Sequence, residues 1–340
     1  MTNNLMLAVL KEKAAPGVTL KQVPIPKPQK DEVLVKVVYS SICGTDIGIY
    51  DWIPWAAGHM KPPSIIGHEI LGKVLEINTK EKTDIKVGDL VSSETHIFCG
   101  KCYQCKIGNK HICENMQLFG IGRNGSFAQY ATIPLRTTWK NDSSIPLEEM
   151  SMQEPLGNAV HVVDKAQVKG KKVLVLGLGP VGLCAGAVAK VMRAKEVVGV
   201  NDEPYRRKIA KKLGFDRVLP KLNKKEYNSF DVVLEMSGNK FGIAEAFDAV
   251  RIAGTLIAFG IPKENISIDW AKYMINKELT ILSVFGRRIW ETWHQTSDLL
   301  KSGKINILPL ITHTFALKDF QEAMEVMKSR KCGKILLKPE

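Results

Sequence analysis

The spacing of apolar and polar positions divides the chain into two stretches of different character. The first 150 residues read as β-rich. Leu34-Val35-Lys36-Val37-Val38-Tyr39 has strand composition, and turns such as Val87-Gly88-Asp89 punctuate the stretch. Near Lys171 the pattern changes to alternating strands and helices. Lys172 to Leu176 is a short apolar run of the kind that forms a buried strand, and Pro180 to Met192 follows as a helix with its proline in the first turn. Glu196 to Val200 predicts a second strand and Pro204 to Leu213 a second helix. Asp231 to Met236, Gly254 to Phe259 and Leu279 to Val284 predict further strands. Such alternation predicts a doubly wound parallel sheet with helices on both faces. The last fifty residues predict a helix over Trp290 to Lys301, a strand over Ile311 to Phe315, a helix over Leu317 to Ser329 and a final strand over Gly333 to Lys338.

A chain of 340 residues is long enough for two globular domains. No apolar run reaches the 18 residues of a membrane span, and Met1-Thr2-Asn3-Asn4 lacks the basic-then-apolar layout of a signal peptide, so a cytoplasmic protein with no membrane partner is expected. The net charge is +13, which raises the question of nucleic acid. The lysines are interspersed with acids, as in Lys80-Glu81-Lys82 and Lys224-Lys225-Glu226, and form no basic block. No nucleic-acid partner is expected.

Of seven cysteines, four fall at Cys99, Cys102, Cys105 and Cys113, spaced C-x2-C-x2-C-x7-C. Two-residue gaps let neighbouring thiolates reach one ion about 2.3 Å from each sulfur, and four thiolates close a tetrahedral zinc. The lobe of about residues 94–115 is therefore expected to carry a structural zinc, with Gly100 and Gly108 in its turns. The first three cysteines resemble part of an iron–sulfur run, but the fourth gap and the missing Cys-Pro do not match one.

Gly177-Leu178-Gly179-Pro180-Val181-Gly182 is G-x-G-x-x-G between an apolar strand and a helix, the setting in which the pattern denotes dinucleotide binding. Its glycines let the backbone approach a pyrophosphate, and the helix N-terminus stabilises the negative charge. Where the second strand ends, an acid that holds the adenosine ribose is expected. Asn201 stands there, followed by Asp202 and Glu203. Arg206 and Arg207 lie close enough to offer a partner to a 2′-phosphate. The acidic turn favours NAD and leaves NADP open.

Cys43-Gly44-Thr45-Asp46 and Gly67-His68-Glu69 bring a thiolate, an imidazole and a carboxylate that together suit a catalytic zinc. Such a metal keeps one position for water or substrate and lowers the pKa of a bound hydroxyl.

With these motifs in this order, the chain resembles the medium-chain zinc dehydrogenases over essentially its full length. Within them it resembles the threonine dehydrogenase branch. Ser41-Ile42-Cys43-Gly44-Thr45-Asp46, Ile49-Tyr50-Asp51-Trp52, Glu94-Thr95-His96-Ile97, Glu154-Pro155-Leu156-Gly157-Asn158, Glu235-Met236-Ser237-Gly238 and Trp290-Glu291-Thr292-Trp293 are among the matching stretches. The resemblance implies an α/β protein: a GroES-like catalytic domain of residues 1–150 and 291–340 around a Rossmann domain of residues 151–290. Asp46 is read as orienting a ligand or, equally, as capping its turn, and the resemblance implies that Cys43, His68 and Glu154 hold the catalytic zinc, with Glu69 as an inner or alternating ligand. It implies a small-molecule secondary alcohol as substrate, threonine first, deprotonated through the Thr45 hydroxyl with hydride passing to the nicotinamide. A homotetramer is implied too, with the strand over Leu279 to Val284 as the edge open to pairing. The chain departs from the branch at Gly48, where the branch carries a histidine of its proton relay. His96 is the retained candidate for that work and His59 a second one. A sugar, polyol or inositol dehydrogenase on the same scaffold is the rival expectation. A dinucleotide-binding member without enzymatic activity would be expected to have lost zinc ligands, and this chain keeps both sets.

Overall fold

A computed structural model describes residues 4–340. The chain divides into two compact units: the residues up to Glu154 together with Ile311–Glu340, and Pro155–Leu310.

The first unit is built on a seven-stranded sheet around the long strand Glu32–Ile42. Along it Val33, Val35 and Val37 alternate onto one face and pack with Ile70, Val74, Val91, Phe119 and Ile133. Glu69–Asn78 pairs antiparallel on one side and Lys334–Lys338 on the other. Register decides what meets at the end of this sheet. Ser41 stands opposite Glu69 on one neighbour and opposite Leu336 on the other, while Ile42 stands opposite Ile335. Glu69, Ser41 and Lys334 therefore converge where the central strand runs into Cys43. The helix Phe320–Ser329 buries Phe320, Ala323, Met324 and Met327, the i, i+3, i+4, i+7 stripe of an amphipathic helix, against Ile42, Ile49, Ile66 and Phe127.

The second unit holds a six-stranded, all-parallel sheet. In spatial order its strands are Arg217–Leu219, Glu196–Val200, Lys172–Leu176, Phe230–Glu235, Val250–Ala258 and Thr280–Ser283. Numbered along the chain this is 3-2-1-4-5-6, the doubly wound order. The strands Lys172–Leu176 and Phe230–Glu235 flank the point where the winding reverses, and their carboxyl ends frame the crevice that such sheets use for ligands. The apolar strand and helix faces, among them Leu174, Val198, Val233, Phe247 and Leu256, form one core.

The compact units divide at points other than the expected domain bounds. The first unit resumes at Ile311, where residue 291 was expected, and the helix Glu291–Lys301 falls in the second unit. It buries Thr292, Trp293, Thr296, Ser297 and Leu300. Its Thr296 hydroxyl stands 3.6 Å from the place a Cβ on Gly157 would take, which lays it along the helix Gln153–Ala166. Just before it, Arg287 is buried and donates to Asn158 Oδ1 at 2.9 Å, tying the chain to that helix. An amphipathic pattern shows that a helix is packed, not against which partner. Likewise the first boundary falls after Glu154 rather than at residue 150.

Lys277 shows how this unit closes a helix end. Its buried ammonium donates to the carbonyls of Phe247 at 2.6 Å and Val250 at 2.8 Å, just where the helix Lys240–Ala249 stops. Lys277→Met leaves those carbonyls without a charged donor. Thermal unfolding should show a loss of about 2 kcal/mol. A loss below about 0.5 kcal/mol would mean that water takes the lysine's place.

Candidate metal centres and dinucleotide site

Cys43 precedes the helix Gly44–Asp51, and Asp46 in its first turn accepts from the Cys43 backbone N–H at 2.8 Å through Oδ2. The other oxygen, Oδ1, lies 3.5 Å from His68 Nδ1. Among the described residues neither of these two buried atoms has a hydrogen-bond partner. Asp46 thus touches the backbone of one candidate ligand and the ring of the other. Burial alone would lower the His68 pKa, but Asp46 and the Cys43 sulfur push it well above its ordinary value. Anionic donors gathered around a buried imidazole are the electrostatic signature of a site meant for a cation.

Donor atoms of Cys43, His68 and Glu69 lie within 4.8 Å of one another. The Glu69 carboxylate is buried, pairs with the Lys334 ammonium and accepts from the Ser41 hydroxyl. Among the described residues, Glu69 Oε1 has no hydrogen-bond partner, an expensive state for a buried oxygen unless something binds it. Burial depresses the Lys334 pKa and the charges of Glu69, Cys43 and Glu154 more than reverse that, so Lys334 stays an ammonium. One thiolate, one imidazole and one carboxylate with an unused oxygen fit zinc by donor chemistry.

Glu154, expected as a primary ligand, adds its charge to the field on Lys334. It is buried in the first turn of Gln153–Ala166 and accepts from the Thr95 hydroxyl at 2.7 Å, outside the set of three donors that converge. Thr45 is half-buried, its hydroxyl 3.8 Å from Cys43 Sγ. His96 is buried, with Nδ1 held at 2.7 Å by Glu94 Oε1. His59 is exposed, stacks on Trp55 and uses Nδ1 on the Trp55 carbonyl. At Gly48 a Cβ would stand 2.9 Å from Ile53 Cδ1, so the helix turns this position toward an apolar neighbour.

Cys99, Cys102, Cys105 and Cys113 converge in the same way, their sulfurs within 4.8 Å of one another. Cys102 and Cys113 Sγ are 3.8 Å apart, far too distant for a disulfide and close to the separation of two sulfurs about 2.3 Å from one tetrahedral zinc. Gly100 and Gly108 take φ of +78° and +93° in the turns between the ligands. The backbone N–H groups of Lys101 and Cys102 point at Cys99 Sγ and pull its pKa down to about 6. A sulfur so placed is held as the thiolate that metals bind.

In the second unit Gly177 follows its strand with φ +96°, and the helix Pro180–Val191 starts from Gly179, which has open space around it and no side chain to cap the helix. Pro180, first in the helix, carries no backbone N–H, so the N–H groups of Val181 and Gly182 are the first-turn donors left for an anion. A Cβ on Gly182 would stand 2.0 Å from the Gly177 carbonyl oxygen. The cradle therefore exists only with glycine at this position. Gly182→Ala should push the loop out of shape and weaken NADH binding by at least about tenfold, read by titrating NADH fluorescence, with zinc content unchanged. At the end of the next strand Asn201 is buried, its Oδ1 accepting from the Glu203 N–H at 3.0 Å. Asp202 is exposed and Arg206 half-buried. Arg207 folds back and donates to the carbonyls of Asn201 and Asp202 at 2.8 and 2.7 Å. It braces the turn.

Sequence reasoning missed Lys334, Ser41, Glu94 and Glu235. Lys334 carried one signal: a lysine leading directly into the apolar run Ile335-Leu336-Leu337 of the terminal strand Lys334–Lys338.

A doubly wound sheet bearing a glycine cradle, with a thiolate–imidazole–carboxylate cluster and a four-thiolate lobe elsewhere in the chain, defines a zinc- and dinucleotide-dependent dehydrogenase. Comparison with known proteins agrees. Residues 29–143 match the family described as alcohol dehydrogenase GroES-like domain, and residues 180–302 match the zinc-binding dehydrogenase family. The L-threonine 3-dehydrogenase of Pyrococcus abyssi is 44% identical over 97% of this chain and 98% of its own length. Among solved structures, a zinc-binding dehydrogenase of Sinorhizobium meliloti bound to NADP is 26% identical, with a TM-score of 0.89 over 98% of this chain and 99% of its own. An alcohol dehydrogenase of Escherichia coli CFT073 complexed with NADH is 27% identical, with a TM-score of 0.88 over the same shares. The chain belongs to the zinc-binding alcohol dehydrogenase family, and it is a zinc- and NAD(P)-dependent oxidoreductase of alcohols. Among the described residues no helix is long and apolar enough to cross a membrane.

Proposed function

We propose that this chain oxidises the secondary hydroxyl of L-threonine, giving 2-amino-3-oxobutanoate, with NAD as the hydride acceptor. The observation that carries the reading is the full-length identity to L-threonine 3-dehydrogenases in a chain that keeps both metal-donor sets and the glycine cradle. Cys43, His68 and Glu69 would hold the catalytic zinc, with Glu154 as an exchanging ligand, and Cys99, Cys102, Cys105 and Cys113 the structural one. When bound, the catalytic zinc polarises the substrate hydroxyl and lowers its pKa.

The chain's own residues do the rest. Thr45, at the start of its helix beside Cys43, offers a hydroxyl that can pass a proton onward. Glu94 holds the His96 ring in one orientation, which makes His96 the residue to complete that path in place of the histidine absent at Gly48. Asp46 lies beside the His68 ring, and Lys334 pairs with the Glu69 carboxylate. The loop from Gly177 through Gly179 and Pro180 would cradle the pyrophosphate, with the N–H groups of Val181 and Gly182 as its helix-end donors. Arg207 is committed to the Asn201 and Asp202 carbonyls, and the turn keeps Asp202 and Glu203, which favours NAD over NADP. Asn201, Asp202 and Arg206 would line the ribose.

Gly48 favours the second reading, a polyol or 2,3-butanediol dehydrogenase, because an altered relay suits an altered substrate. Purified enzyme with NAD and a panel of L-threonine, 2,3-butanediol, sorbitol and myo-inositol decides between them. Turnover of threonine at the highest kcat/KM is expected; turnover of a polyol with none of threonine overturns the first reading. We further assign assembly to the strand Thr280–Ser283, which ends the parallel sheet with one edge unpaired among the described residues and exposes Ile281. Pairing of two such edges gives a dimer, and a homotetramer is the expected assembly, in the cytoplasm. Light scattering on the purified protein reads its mass directly.

A further inference from the structure

The glycine cradle does not stand alone at the carboxyl edge of the parallel sheet. The neighbouring strand Phe230–Glu235 ends on a buried glutamate whose side chain turns back over the chain that follows. Glu235 Oε1 accepts from the Ser237 N–H at 2.9 Å, the Ser237 hydroxyl at 2.5 Å and the Gly238 N–H at 3.1 Å. The Glu235 carbonyl accepts from the N–H groups of Phe259 and Gly260 at 3.1 and 3.0 Å. A Cβ on Gly260 would stand 2.7 Å from Oε2, so the carboxylate also fills the space between the two loops.

This hub touches the cradle directly. A Cβ on Gly177 would lie 2.8 Å from the Ser237 nitrogen and Cβ, and one on Gly182 would lie 3.4 Å from Met236 Cβ. The first and last glycines of the cradle therefore pack on the segment that Glu235 holds. Burial pushes the Glu235 carboxyl above the ordinary range, and its N–H and O–H donors pull against that. A buried carboxylate that spends its oxygens on two consecutive loop residues is costly as a mere space filler. It stands at the reversal of strand order, where open parallel sheets bind their ligands. The catalytic cluster and the cradle both have assigned work; Glu235 has none.

We propose that Glu235 is a positioning residue for the dinucleotide: its carboxylate fixes Ser237 and Gly238, and through them the approach of the Gly177–Gly182 loop to the pyrophosphate. The proposal rests on the dinucleotide-dependent reading of the enzyme. Glutamine at 235 keeps the volume and one acceptor oxygen for Ser237, but it removes the charge and sets an amide N–H2 where Oε2 meets the Gly238 N–H at 3.4 Å. Ser237→Ala removes one hydroxyl from the same network and leaves the fold's volume almost intact. In zinc-loaded enzyme, Glu235→Gln should raise the NADH dissociation constant about tenfold and the KM for NAD in parallel. Ser237→Ala should raise both about threefold. Turnover at saturating NAD should stay within about twofold of the parent, since neither residue meets the reacting atoms. NADH binding, read by fluorescence titration, is independent of turnover. Unchanged dissociation constants in the variants, or a lost kcat at saturating NAD with unchanged affinity, overturn the proposal. Should Glu235→Gln fail to fold, Ser237→Ala alone decides by the same criterion. A parent enzyme with no affinity for NADH overturns the dehydrogenase reading itself, an outcome visible before any variant is made.

Discussion

Cys43→Ala should lower kcat/KM by about three orders of magnitude or more while the protein stays folded. The sulfur is one of three donors that converge at the end of the central strand, and as a thiolate it would supply charge to the divalent cation proposed there. Loss of the metal's contribution to stabilising developing charge is worth several kcal/mol, and each 1.36 kcal/mol is about a factor of ten in rate. Metal analysis should find one zinc fewer per subunit, and NADH affinity should hold, because the cradle lies in the other unit. Cys105→Ser is the contrasting variant. It should also lose one zinc, but its effect should fall on stability, since a four-thiolate site leaves no position for substrate. A Cys43→Ala enzyme with parental turnover would remove the metal from the mechanism.

Lys334→Met should be among the most destabilising single substitutions in the first unit. Lys334 and Glu69 are both buried and pair with one another, with the Cys43 sulfur and Glu154 adding to the field on the ammonium. Deleting the cation leaves Glu69 buried and opposed by nothing of its own sign's complement, a situation that costs about 3–5 kcal/mol. Thermal unfolding of metal-stripped protein isolates this term, because a bound zinc would itself supply positive charge. Adding Glu69→Gln should recover much of the loss, with a coupling of about 1–3 kcal/mol in the double-mutant cycle. Additive effects would show that the two side chains do not depend on one another.

What could be read in advance and what could not divides by distance along the chain. The four-cysteine lobe and the glycine cradle are local devices. Two-residue gaps between thiols and a G-x-G-x-x-G after an apolar strand fix their geometry within a few residues, so both were legible. The strands Glu196–Val200 and Thr280–Ser283 and the helix Pro180–Val191 fell where their patterns placed them or within a residue or so. The strand expected over Gly254 to Phe259 instead begins at Val250, because Ala253 takes φ +53° and the pairing register shifts there. Alternation cannot reveal such a shift. Lys334 was invisible as a partner because 265 positions separate it from Glu69; only the register of Ile335 opposite Ile42 brings it in. Glu235 looked like a matching residue in a motif, with no hint that its side chain turns back onto Ser237. Arg207 looked available to a phosphate, yet the turn it follows supplies two carbonyls that occupy it. In each case the missing information was where a polar side chain ends, which composition does not encode.

The most direct test of the account follows hydride itself. L-threonine carrying deuterium at its carbinol carbon, incubated with the zinc-loaded enzyme and NAD, should give reduced cofactor containing that deuterium, and the transfer should vanish in the zinc-free protein. Reduced cofactor without the label, no reduced cofactor at all, or labelled cofactor formed equally well without zinc would contradict it.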